Sequence, residues 1–224
     1  MRHTWPFVGL LLLVPVATAA SSPTPVRVVK DNVVASDRDP AVRVTVPKTA
    51  TYVGTERWVL FGIANCQLFA FIDADRQKHV RRLYWVQFEG YISSMPNLHH
   101  TYDSKEHAAI GGLDFFVDAW TESSKPSRPD TTDLAAIIKS KGYAVPAGIN
   151  SGSDGQHIYD LIISKGYTLP PMLSSVRFVH TLDEARKELM IIYSEPFTSS
   201  RKPTSEETRA LVRRAENALV IEPV

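Results

Sequence analysis

A chain of 224 residues, 44% hydrophobic and 22% charged, has the composition of an ordinary globular protein and enough length for a substantial core. Its 25 basic and 24 acidic residues leave a net charge of +1, and no basic stripe runs along it, which argues against a nucleic-acid partner. A single cysteine, Cys66, rules out an intramolecular disulfide.

Residues 1–19 read as a signal peptide. Arg2 and His3 form a short polar head, Phe7–Val16 is apolar apart from Gly9 and Pro15, and Ala17-Thr18-Ala19 fits the small-residue cleavage pattern. The apolar run falls short of the ~20 residues that span a bilayer. The expectation is an exported protein, periplasmic or extracellular, without a membrane span once the signal is removed after Ala19. Residues 20–56 are expected to form an extended N-terminal segment. Val26–Val34 and Val42–Val46 would pair as an edge hairpin around Asp37–Pro40. Residues 57–224 are then a single α+β domain.

The strongest strand signal is His79–Ile92, HVRRLYWVQFEGYI, with period-2 alternation and no Gly or Pro until Gly90. One face carries Arg82, Tyr84, Val86 and Phe88, the other Leu83, Trp85, Gln87, Glu89 and Tyr91. Both faces are rich in large apolar groups, which predicts a central strand. Gln87 and Glu89 set between Trp85 and Tyr91 need partners or a wet cavity. The preceding runs, Trp58–Ile63 and Cys66–Ile72, also read as strands, and Cys66–Ile72 should pair antiparallel with the organising strand. Cys66 itself reads as a small apolar residue packed in its strand.

His99–His107 holds three histidines, Asp103 and Glu106, all of them metal-ligating types, but the spacing matches no zinc signature and no metal or other cofactor is expected. Asp103-x-x-Glu106 suits the cap of one helical turn. Gly112–Trp120 alternates again: Leu113, Phe115, Val117 and Ala119 form a core face, while Asp114, Phe116, Asp118 and Trp120 interleave acids with aromatics. Two similar segments follow, DLAAIIKSKGYAVP at Asp133–Pro146 and HIYDLIISKGYTLP at His157–Pro170. Each predicts a helix ended by a left-handed glycine, Gly142 or Gly166. Gly148–Gly155 between them lacks phosphate-loop spacing and reads as a connector. Ser174–Thr181 and Lys187–Glu195 predict a last hairpin, and Thr204-x-x-Glu207 caps a C-terminal helix.

The predicted fold is therefore α+β: an antiparallel sheet of about five or six strands, with a helical pair and a C-terminal helix packed mainly on one face. For function two readings compete. Trp85, Gln87, Glu89, Tyr91, Phe116 and Trp120 would line a non-catalytic site for a small amphipathic ligand, or a surface for an envelope protein. Alternatively, Glu89, Asp114 and Asp118 on strands and His100, Tyr102 and Asp103 on the following loop would converge as the carboxylate/His site of a cofactor-independent hydrolase.

Overall fold

A computed structural model describes residues 24–125, 129–199 and 201–224; the predicted signal peptide lies outside them. Two antiparallel sheets make up most of the fold. The smaller contains β1 (Arg27–Lys30), β2 (Val33–Asp37) and β3 (Ala41–Thr45), closed by the C-terminal β11 (Val220–Pro223) in the order β1-β2-β3-β11. The larger contains β4 (Thr51–Leu60), β5 (Ala64–Ala74), β6 (Val80–Tyr91), β7 (Glu106–Ile110), β8 (Leu113–Ser123), β9 (Met172–Leu182) and β10 (Lys187–Pro196). Their order is β4-β5-β6-β10-β9-β8-β7. The organising strand, β6, is central as expected, and it pairs antiparallel with β5.

Three α-helices are found among the described residues: α1 (Thr132–Ser140), α2 (Asp154–Ser164) and α3 (Ser205–Ala218). The Ser-Lys-Gly-Tyr repeat is a pair of matched helix exits. In each, the glycine adopts a left-handed φ (+83° at Gly142, +79° at Gly166). The next tyrosine donates its main-chain N–H back into the helix, Tyr143 to Ile138 and Tyr167 to Ile162. α3 begins with a complete capping box between Thr204 and Glu207.

Strand alternation sends the side chains of the large sheet into two different layers. On one face Phe69, Phe88, Phe115, Phe178 and Ile191 pack against Val34, Val42 and Val44 of the small sheet and Leu211 and Ala215 of α3. We call this the small-sheet face. On the other, Leu68, Leu83, Trp85, Met190 and Ile192 pack under Ile158, Tyr159 and Ile162 of α2, and α1 covers the β4–β5 end through Ile138. We call this the helix-pair face. Three expectations change. The antiparallel α+β class stands, but the strands number eleven in two sheets among the described residues, and the helices cover both faces. α3 lies on the face opposite to the helical pair, where Leu211, Ala215 and Leu219 pack in the small-sheet layer. The expected helical turn at Asp103–Glu106 is also absent: this stretch is irregular, and Glu106 opens β7, paired with Val117.

Candidate functional site

The helix-pair face holds a polar island inside its apolar layer. β6 and β10 are neighbours, and their register sets Glu89 directly opposite Glu188. β5 adds Cys66, the cross-strand partner of Glu89. Asp154 enters from the first turn of α2, whose Ser153 cap accepts the Gln156 N–H. His100 and Tyr102 come from the irregular segment after β6. That segment is fixed by the β9–β10 turn: the His100 N–H donates to the Ala185 carbonyl at 2.7 Å, and the His99 ring contacts the Glu184 carbonyl at 2.8 Å. Arg186 donates to the Met95 carbonyl at 3.0 Å, and the His100 ring packs on Tyr91 with centroids 4.5 Å apart.

Neutral donors serve the two glutamates. Trp85 donates from its indole to Gln87 Oε1 at 2.9 Å. Gln87 in turn donates to Glu89 Oε2 at 3.2 Å, and the Cys66 thiol donates to the same oxygen at 3.3 Å. The Tyr102 hydroxyl donates to Glu188 Oε2 at 2.5 Å. His100 Nδ1 lies 3.1 Å from that oxygen, with the two side chains only 8% and 3% exposed. The nearest cation, Arg177, spends its hydrogen bond on Asp118 at 2.6 Å. Among the described residues, Asp154 Oδ1, Trp58 Nε1, His100 Nε2 and Arg177 Nε are buried without a well-formed hydrogen bond.

Charge crowding follows from this geometry. Burial is the main reason that Glu89 rises well above the ordinary carboxylate range, with Asp154 and Glu188 adding repulsion. Burial likewise lifts Glu188 to about 7, against the Tyr102 hydrogen bond and Arg177, which pull it down. It lifts Asp154 to about 6. His100 moves the other way, to about 4, because burial disfavours the imidazolium. The two shifts are consistent. Below about 7 Glu188 carries no charge to hold a proton on His100, so their 3.1 Å approach is not an ion pair there. Burial also pushes up the Tyr102 hydroxyl and the Cys66 thiol. Both stay protonated at neutral pH, so Cys66 is no nucleophile there.

Of the residues singled out from the sequence, Trp85, Gln87, Glu89, Tyr91, His100 and Tyr102 belong to this island. Asp118, Phe116 and Trp120 flank it. Burial raises the Asp118 carboxyl, but hydrogen bonds from Arg177 and Ser104 outweigh that and hold it low. Phe116 packs on Tyr102 at 5.4 Å, and Arg177 lies over Trp120 at 5.8 Å. Asp118 and Asp114 do not converge with Glu89: β10 and β9 intervene between β6 and β8, a separation of roughly 14–15 Å at the usual strand spacing. Asp114 is exposed, as is Asp103.

Three island residues lay outside the sequence candidates: Cys66, Asp154 and Glu188. Glu188 had a signal, since it shares a strand face with Met190 and Ile192, and an acid on an apolar face needs a reason. Asp154 had none, because only the packing of α2 brings it there. Two donor sets, Cys66–Glu89–Asp154 and Glu89–His100–Glu188, each lie within 4.8 Å, and by composition either could take a divalent cation. No helix among the described residues is long and apolar enough to cross a membrane. No family model, curated protein or solved structure matches this chain.

Proposed function

We propose that the helix-pair face carries the general acid–base site of a cofactor-independent hydrolase that works outside the cytoplasm, as the leader pattern of residues 1–19 supports. The observation that carries this reading is the register pair of Glu89 and Glu188. Like charges directly opposite on neighbouring strands destabilise a sheet. Here Asp154 is added in a desolvated layer, and Arg177 is engaged by Asp118. Nothing in the packing requires acids at these positions; acid–base chemistry does.

The roles follow from exposure and hydrogen bonding. Glu89 is partly exposed at the end of β6, so it is the group that meets substrate and takes a proton from the attacking water. Gln87 and Cys66 fix the orientation of its carboxyl. Glu188 is sealed and acts through Glu89: whichever of the two is protonated sets the charge that the other feels. His100 and Tyr102 hold Glu188 in place. Proton sharing is favoured over a bound cation because the carboxyl oxygens nearest one another are already met by neutral N–H, O–H and S–H donors.

A second reading, a non-catalytic site for a small amphipathic ligand, draws on the partly exposed Tyr102, Phe116 and Trp120 beside Arg177. Chromogenic esters, glycosides and anilides separate the two. The hydrolase reading expects turnover of one class, unchanged by a chelator and lowered ~10²–10⁴-fold in Glu89→Gln, with the melting temperature retained. Saturable ligand-induced tryptophan fluorescence without turnover would move the assignment to the binding reading.

A further inference from the structure

A second feature, a wide cleft, lies away from the polar island. It lies at the end of the small-sheet face, has a volume of about 790 Å³, and is walled by Arg27 of β1, Asp39 of the β2–β3 turn, Arg57 and Val59 of β4, Gln67 of β5 and Lys187 of β10. Trp58, Cys66 and Glu89 border it as well, but strand alternation turns their side chains to the other face, where Cys66 meets Glu89. The cleft therefore sees three cationic side chains, Arg27, Arg57 and Lys187, against one acid. That acid, Asp39, is held by Lys187 at 3.2 Å.

The two arginines share one side-chain acceptor among the described residues, the Gln67 amide. Arg27 lies over the Phe88 ring at 4.1 Å. It donates to the Ser36 hydroxyl at 3.3 Å, the Asp39 main-chain carbonyl at 3.2 Å and the Gln67 amide at 3.4 Å, all of them neutral. Turned the other way, the same Gln67 amide accepts from Arg57, at 3.3 Å from Nε and 2.9 Å from Nη2. One amide oxygen cannot serve both guanidinium groups. When the amide oxygen faces Arg57, the acceptor that it offered Arg27 is lost. Burial and the neighbouring Arg57 also lower the Arg27 pKa to about 10, a sign that its charge is poorly compensated, with Asp39 and Asp37 offsetting only part of this.

We propose that this cleft binds a small ligand through an oxyanion head group, a carboxylate or a phosphate monoester, bridged between Arg27 and Arg57 over Gln67. Both guanidinium groups reach the same amide, so one oxyanion can span them, and the forked donors of arginine match its geometry. Lys187 adds a third positive charge at the rim. Val59, 47% exposed, gives the tail of the ligand an apolar wall. The site is independent of the acid–base reading, because it lies on the opposite face of the sheet and uses none of the island's side chains.

The test uses the full chain, with octanoate and octyl phosphate as probes and octylammonium as the control for the tail alone. Arginine Nε–Hε resonances are followed by NMR during each titration. The expected result is a saturable shift of the Arg27 and Arg57 signals with at least one anionic probe and none with octylammonium; the arm that binds identifies the head group. Arg57→Gln, at an exposed position, should fold normally and weaken that binding about tenfold or more, the usual scale for a lost charge-assisted hydrogen bond. Glu188→Gln should leave it unchanged. Absence of saturable shifts at millimolar octanoate and octyl phosphate, equal shifts with octylammonium, or binding untouched by Arg57→Gln would each overturn the proposal.

Discussion

Two glutamates near opposite ends of β10 show how differently this fold treats an acid. Glu195 lies near the small-sheet end of α3 and receives Arg214 through two nitrogens, the closest contact being 2.7 Å. Arg82 lies 3.8 Å away, and the Tyr193 hydroxyl donates to it. Burial pushes its carboxyl up, but these partners outweigh burial and hold it below the ordinary range. Glu188 is more deeply buried, has only Tyr102 and His100 as close partners, and rises to about 7. The same strand therefore carries one acid neutralised by cations and one kept beside two more acids. The first arrangement is structural. The second opposes stability, which supports the proposed acid–base site.

The largest expected effect sets the baseline. Phe178→Ala on the small-sheet face opens a hole in a fully buried apolar layer, and denaturant unfolding should show a loss of ~3–5 kcal/mol. No titratable group is removed with Phe178, so the loss should be nearly the same at pH 5 and pH 8. Glu188→Gln should behave in the opposite way. The folded pKa of Glu188 is raised, so wild type suffers no penalty from this group below the ordinary carboxyl pKa. The penalty grows as pH rises to about 7 and is constant above. The variant should thus gain on wild type by roughly 1–3 kcal/mol between pH 4.5 and pH 8. A difference that stays flat with pH would contradict the charge crowding at the island.

Arg214→Ala should cost less, at most about 1 kcal/mol at pH 7, because the pair it breaks is partly exposed and screened by salt. Its pH dependence has the reverse sign. The lowered Glu195 pKa gives stability that is present above the ordinary carboxyl pKa and lost as pH falls through the depressed one. The cost of Arg214→Ala should therefore shrink in acid, which melting curves at pH 3 and pH 7 would show. Asp114→Asn is expected to do least. Its side chain is exposed and remote from Glu89, so stability should stay within about 0.5 kcal/mol of wild type, and turnover of any substrate that the wild type cleaves should be unaffected.

The sequence announced the elements that have local causes. Alternation marked β6 and β8, the Ser-Lys-Gly-Tyr repeat marked the exits of α1 and α2, and Thr204 with Glu207 marked the start of α3. What it could not announce was which strands become neighbours across long separations. β6 pairs with β10, about a hundred residues away, and that pairing alone sets Glu89 against Glu188. Glu89, His100 and Tyr102 were legible because acids, imidazoles and phenols stood out from aromatic or loop surroundings. Asp154 was hidden in a glycine-rich connector, and Cys66 in an ordinary apolar strand. Asp114 and Asp118 drew attention by the same alternation as Glu89, but period-2 spacing fixes a face and not a distance along the sheet.

The central claim is that the pair of Glu89 and Glu188 holds a proton near neutral pH. Carbon NMR of the side-chain carboxyls in a glutamate-labelled chain measures this directly, with Glu89→Gln and Glu188→Gln assigning the two signals. The account predicts that both titrate above the ordinary carboxylate range, that Glu188 changes charge near pH 7, and that removing either residue shifts the titration of the other downward. If both carboxyls finish ionising below about pH 5 and neither responds to loss of the other, the pair is not an acid–base site.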